Sequence, residues 1–158
     1  MVRLSGGRSI LIADDESPKL SSIRSWLEVF APHAKVIVSR SVRTTIDVLI
    51  EQRPSIVILD MSLPTFDVGA GESGGRPQGF GGIEVLRHID FHGLSPKVIV
   101  VTQYEAFHDN GKQVDLTELA ATLRGEHSGV FVDCIYYNAV SDDWKVKLGV
   151  SLQELMVA

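Results

Sequence analysis

The chain has 158 residues and a mass of 17.3 kDa, with 44% hydrophobic, 22% charged and 7% aromatic residues; this is the size and make-up of one globular domain with a core of its own. Its net charge is −5 and its Lys and Arg form no block, which argues against direct nucleic-acid binding, because phosphate contacts need clustered cations. No apolar run reaches the ~20 residues of a membrane span, no signal-peptide pattern opens the chain, and the single cysteine, Cys134, excludes an internal disulfide or a cysteine zinc cluster. A cytoplasmic protein without a membrane segment is expected.

In chain order, the first apolar run is Ser9–Ala13, and it ends in acids. A helical stripe follows at Leu20, Ile23, Leu27 and Phe30, with Ser17 as N-cap and Pro18 at the first helical position. The second run, Lys35–Val38, precedes a stripe at Val42, Ile46, Leu49 and Ile50; the third is Ser55–Leu59. From Val68 to Gly82 the chain is nearly all small or polar and holds half of the fourteen glycines, which reads as a long loop inserted at about 66–82. A third stripe, Ile83, Leu86 and Ile89, leads to the fourth run, Lys97–Val101. A fourth stripe, Leu116, Leu119, Ala120 and Leu123, leads to the fifth run, Val130–Tyr137. The last stripe is Trp144, Leu148, Leu152 and Leu155, with Gly149 inside it and Ser141, Asp142 and Asp143 at its start. Strands that are continuously apolar are covered on both faces, as in a parallel sheet between helices. The expectation is a single α/β domain over residues 1–158: a doubly wound, five-stranded parallel sheet of order 2-1-3-4-5 flanked by five helices.

Asp14 and Asp15 end the first strand and Asp60 ends the third. In that strand order the two strands are neighbours at the topological switch point, the crevice where such folds bind ligands. Three carboxylates brought together raise one another's pKa unless a cation neutralises them. A hard divalent ion such as Mg2+, which takes oxygen ligands and keeps room for a phosphate, suits the set. Thr102, at the end of the fourth strand, offers a hydroxyl at the next strand tip. The competing readings are milder: acids after a strand also cap helices, and threonine is common in strands. Gly69-Ala70-Gly71-Glu72-Ser73-Gly74 matches G-x-G-x-x-G, but Pro64 and seven other residues separate it from the strand, where a dinucleotide fingerprint needs contact with strand and helix. His88 and His92 are four apart without a third ligand, and Cys134 reads as a small hydrophobe.

Ile12-Ala13-Asp14-Asp15-Glu16-Ser17-Pro18, Val57-Ile58-Leu59-Asp60-Met61-Ser62-Leu63-Pro64 and Val98-Ile99-Val100-Val101-Thr102 together resemble the receiver domain of two-component response regulators, a CheY-like, flavodoxin-like fold. The resemblance spans essentially the whole chain, in order, with 45 residues from Asp15 to Asp60. It implies Asp60 as phosphoacceptor, and Mg2+ held by Asp14, Asp15, Asp60 and the backbone carbonyl of Ser62. Thr102 would be the switch hydroxyl that moves toward a phosphorylated Asp60, repacking the fourth-helix, fifth-strand and fifth-helix face. It further implies a stand-alone signalling acceptor in a phosphorelay rather than an enzyme, doing at most self-phosphorylation from small phosphodonors and self-dephosphorylation. Its partners would be a histidine kinase or phosphotransfer protein and a downstream protein target, with no direct nucleic acid and no membrane; a homodimer is compatible. One departure stands out. The family carries a lysine at the end of strand five, whereas no lysine occurs between Lys112 and Lys145; Tyr137 or Asn138 stands in its place, and Arg76 is a candidate surrogate cation. The rival reading is therefore a pseudo-receiver, an interaction module that works without phosphorylation. A magnesium phosphohydrolase with an aspartyl nucleophile would need a second acid where Ser62 stands.

Overall fold

A computed structural model describes residues 8–67, 81–104, 106–109 and 112–157. Its elements are β1 (Ser9–Ala13), α1 (Ser17–Phe30), β2 (Lys35–Ser39), α2 (Val42–Gln52), β3 (Ile56–Leu59), α3 (Gly81–Phe91), β4 (Lys97–Thr102), β5 (Ala106–Asp109), β6 (Lys112–Asp115), α4 (Leu116–Glu126), β7 (Phe131–Tyr136) and α5 (Asp143–Val157). The main sheet is wholly parallel in the order β2-β1-β3-β4-β7. Since β7 is its fifth strand, this is the expected 2-1-3-4-5 order with five flanking helices.

Side-chain alternation divides the core in two. Leu11, Ala13, Val57, Leu59, Val98 and Val100 face one layer with Leu49, Leu86, Ile89 and Leu123 from α2, α3 and α4. Ile10, Ile12, Ile56, Ile58, Ile99 and Val101 face the other, with Leu20, Ile23 and Leu27 of α1 and Trp144, Leu148 and Leu152 of α5. The central strands are buried on both faces, which is why they read as unbroken apolar runs. The edge strands β2 and β7 are partly exposed, and β7 carries a bulge, pairing Val98 with Phe131 but Ile99 with Asp133. Gly149 forms part of α5 without ending it: a Cβ there would stand 3.4 Å from the Trp26 ring, so glycine brings α5 close to α1.

Three features differ from or add to the expectation. Ser17 lies inside α1, and Glu16 is the N-cap, without a side-chain capping bond; Pro18 satisfies the first turn by lacking an N–H. The small-residue segment ends earlier than Gly82, because Gly81 and Gly82 open α3. The insertion itself, with Gly69, Gly71, Gly74 and Arg76, lies outside the described residues. Third, between β4 and α4 the chain forms an antiparallel pair, β5 and β6, matching Phe107 to Val114 and His108 to Gln113. The sequence signal for it is Asn110-Gly111 between two short runs, a strong hairpin pair.

Candidate functional site

The backbone brings the acids together before any side chain acts. Ala13 pairs with Leu59 at the ends of β1 and β3, Asp60 N–H donates to Ala13 O at 2.9 Å, and Asp14 N–H donates to Ser39 O at 3.0 Å. Asp14 and Asp60 therefore leave adjacent strands at the same level, and Asp15 follows. Carboxylate oxygens of Asp14, Asp15 and Asp60 all lie within 4.8 Å of one another, the one such group of potential metal ligands among the described residues. Asp14 and Asp60 are buried, at 2% and 3% exposure, while Asp15 is exposed.

The loop after Asp60 is fixed from two sides. Pro64 O accepts from Val42 N–H at 2.8 Å and Thr65 O from Arg43 N–H at 3.2 Å, so the loop supplies acceptors to the first turn of α2. On the other side Gly82 N–H donates to Met61 O at 3.1 Å. A Cβ at Gly82 would stand 2.7 Å from Met61 Sδ, and one at Gly81 would collide with Leu63 O. The two glycines let the start of α3 press on the acceptor loop. Within the loop, Ser62 Oγ donates to Asp60 Oδ2 at 2.9 Å.

A cation already stands among the acids. Lys19, in the first turn of α1, is 1% exposed; its Nζ is 2.7 Å from Asp14 Oδ2 and 3.3 Å from Asp60 Oδ1. These are close charge contacts, and Lys19 Nζ and Asp60 Oδ1 are held by charge rather than by a well-aligned hydrogen bond to each other. Asp14 Oδ1 accepts from Glu16 N–H at 2.9 Å. Even so, burial pushes the Asp14 carboxyl up to about 6, with Lys19 opposing the rise and Asp60 adding to it. Burial, and then the charge of Asp60, also raise Asp15 above its usual range. The acids are thus under-neutralised. Three hard oxygen donors and an acceptor oxygen without a directed bond fit a small divalent cation such as Mg2+.

Lys19 did not figure among the sequence-derived candidates, although the signal is present. It falls on the buried stripe of α1 with Leu20, Ile23 and Leu27, and a lysine on a core-facing stripe needs an acid within reach. Asp14 and Asp15 precede it by five and four residues.

The remaining candidates fall as follows. Thr102 is fully buried at the end of β4, and its Oγ1 accepts from Tyr104 N–H at 3.3 Å. Tyr137, beyond β7, packs in the α1–α5 layer with its ring 5.3 Å from that of Trp144. It lines a groove of about 560 Å3 between α1 and the start of α5, together with Ser25, Trp26 and Lys145, and none of the three acids borders that groove. Asn138 is exposed, and its Oδ1 accepts from Val140 N–H at 3.0 Å. Neither expected stand-in for the strand-five lysine touches the acids. Among the described residues, the cation at Asp60 is Lys19 from the opposite end of the chain. His88 and His92 stack on each other at the exposed end of α3. Cys134 is half-buried, and burial pushes its thiol up to about 12.

No protein-family model matches the chain. It is 30% identical over 141 residues to the Detocs response regulatory protein DtcB of Vibrio alginolyticus, covering 87% of this chain and 95% of that one. To the DtcB of Enterobacter cloacae it is 26% identical over 148 residues, covering 92% and 99%. Among solved structures it is similar in fold to the receiver domain of the sensor histidine kinase PA1611 of Pseudomonas aeruginosa. That likeness has a TM-score of 0.60 at 16% identity over 97% of this chain and 100% of that one, and that protein holds a magnesium ion in its active-site cleft.

Proposed function

This chain is a response regulator receiver domain, and we propose that it is a signalling acceptor, taking a phosphoryl group on Asp60 and changing a protein-binding face in response. The observation that carries the reading is the convergence of Asp14, Asp15 and Asp60 within 4.8 Å at the ends of β1 and β3, with Asp60 buried and its Oδ1 lacking a directed hydrogen bond.

In the transfer, an Asp60 carboxylate oxygen forms a bond to phosphorus. The bond from phosphorus to the donor's leaving group breaks, and its electron pair departs with the acetate of a small donor or the imidazole nitrogen of a phosphohistidine. Mg2+ held by Asp14, Asp15, Asp60 and the backbone carbonyl of Ser62 would supply neutralisation of the phosphoryl oxygens. The chain's own part is positioning: the loop pinned between α2 and α3 holds Asp60, and Ser62 Oγ orients its Oδ2. The product is an acyl phosphate at the mouth of the sheet, close to the tip of β4. There the Thr102 hydroxyl, whose one described bond is a 3.3 Å contact from Tyr104 N–H, has a better partner in a phosphoryl oxygen. Its move would pull on the segment leading into β5 and β6 and onward to α4, a local charge event biasing a surface. A histidine kinase or phosphotransfer protein would be the donor, and a downstream protein the target.

The test is intact-protein mass after incubation with acetyl phosphate and Mg2+, wild type beside Asp60→Asn. A gain of one phosphoryl group in wild type alone is expected. A second reading, an interaction module that works without phosphorylation, draws on the end of β7, where Tyr137 is packed away and Asn138 faces solvent. It expects no gain in either protein, and no thermal shift with beryllofluoride.

A further inference from the structure

We propose that Lys19 is the phosphoryl-binding cation of this receiver, so that the charge which the family places at the end of strand five is supplied here by the first turn of α1. The inference rests on Asp60 being the acceptor. Its Nζ is 3.3 Å from Asp60 Oδ1, and both atoms are buried without a directed hydrogen bond. A phosphoryl group on Asp60 places its oxygens one bond beyond that carboxylate, within reach of a four-carbon stem that already points there. The ammonium then exchanges an ill-aligned contact for a charge-assisted hydrogen bond to an oxygen carrying more negative charge.

Among the described residues, the two positions at the end of β7 do not take the role. Tyr137 belongs to the α1–α5 core and Asn138 to a solvent-exposed turn. A lysine at 1% exposure needs an opposite charge beside it, and the partners it has found are the acceptor and its neighbour Asp14. In the resting protein it shares the oxygens a divalent cation would use, so it is also the internal counter-ion of the acidic cluster. Lys19 is thereby expected to act with opposite sign on two measurements. It weakens the hold of the acids on Mg2+, and it speeds phosphoryl transfer once Mg2+ is bound.

The experiment measures phosphoryl incorporation from acetyl phosphate by intact mass, at Mg2+ concentrations saturating for each protein, in wild type, Lys19→Met and Lys19→Arg. Mg2+ affinity is measured in parallel by calorimetry. Lys19→Met is expected to incorporate roughly ten- to a hundredfold more slowly, the range of one charge-assisted hydrogen bond, while binding Mg2+ more tightly; Lys19→Arg recovers part of the rate. A Lys19→Met protein as fast as wild type overturns the assignment and leaves Asp60 as acceptor. A wild type that gains no mass overturns the acceptor reading and this inference with it. Loss of rate together with weaker Mg2+ binding marks a purely structural role and also overturns it. Should Lys19→Met not fold, nitrogen-detected NMR of the Lys19 ammonium in wild type decides. A change between Mg2+ alone and Mg2+ with beryllofluoride is expected, and an unmoved signal overturns the proposal.

Discussion

The ends of β1 and β3 and the end of β7 are all strand tips on one rim of the same sheet, yet they are built on opposite terms. At the first, Asp14 and Asp60 are buried around the ammonium of Lys19. At the second, the chain turns its aromatic side chain inward onto Trp144 and gives its polar residue, Asn138, to solvent. A buried acidic cluster thus needs a cation but does not dictate which element sends it. Here α1 does so, and β7 is released to serve as packing for α1 and α5.

The largest effect should come from removing the cation. Lys19→Met in metal-free buffer leaves three crowded carboxylates without their counter-ion and is expected to lose about 3–5 kcal/mol in urea unfolding. Millimolar Mg2+ should restore most of that loss, and more than it adds to wild type. Equal stabilisation of both proteins would mean that Lys19 and the metal do not compete. Tyr137→Ala should cost about 3 kcal/mol, as aromatic truncations in a packed core do, with no dependence on Mg2+. A Mg2+-dependent loss would place the end of β7 in the acidic site after all. The smallest and most local effect concerns Cys134 on β7, where desolvation first, and then the charge of Asp133, keep the thiol protonated up to about 12. The folded state holds this proton where the unfolded thiol, at its ordinary value of 9.0, has released it. The folded state therefore binds more protons between those values, and the Cys134 contribution to stability falls as pH rises through that window. At pH 8 to 9 a thiol reagent should label the native protein far more slowly than the urea-unfolded one; equal rates would show β7 opening to solvent.

Much of this molecule is legible in one dimension, for a physical reason. Strands covered on both faces must be apolar throughout, so β1, β3 and β4 appear as runs of Ile, Val and Leu, and the acids that end them mark the sheet's carboxyl rim. Local turn chemistry is legible too, and Asn110-Gly111 in the sequence marks the β5 and β6 pair. Periodicity likewise puts Lys19 on the inner stripe of α1 with Leu20, Ile23 and Leu27, although the partner of a lysine there is not written in the stripe itself.

What the tertiary structure alone decided is pairing across distance. Which cation meets Asp60 depends on how α1 seats against β1 and β3, and an ammonium on a flexible stem can reach from any element that passes within a few ångströms. Sequence order names Tyr137 and Asn138 because it matches position to position along the chain. The fold instead settles the matter by burial: Tyr137 gains more from Trp144 than from water or charge, and Lys19, once inside, has carboxylates as its nearest partners. The sheet and the acids at its rim can be read along the chain, because they follow from solvent exclusion along each segment. The neutralisation of the acids had to wait for three dimensions, because charge pairing acts through space and takes no account of chain position.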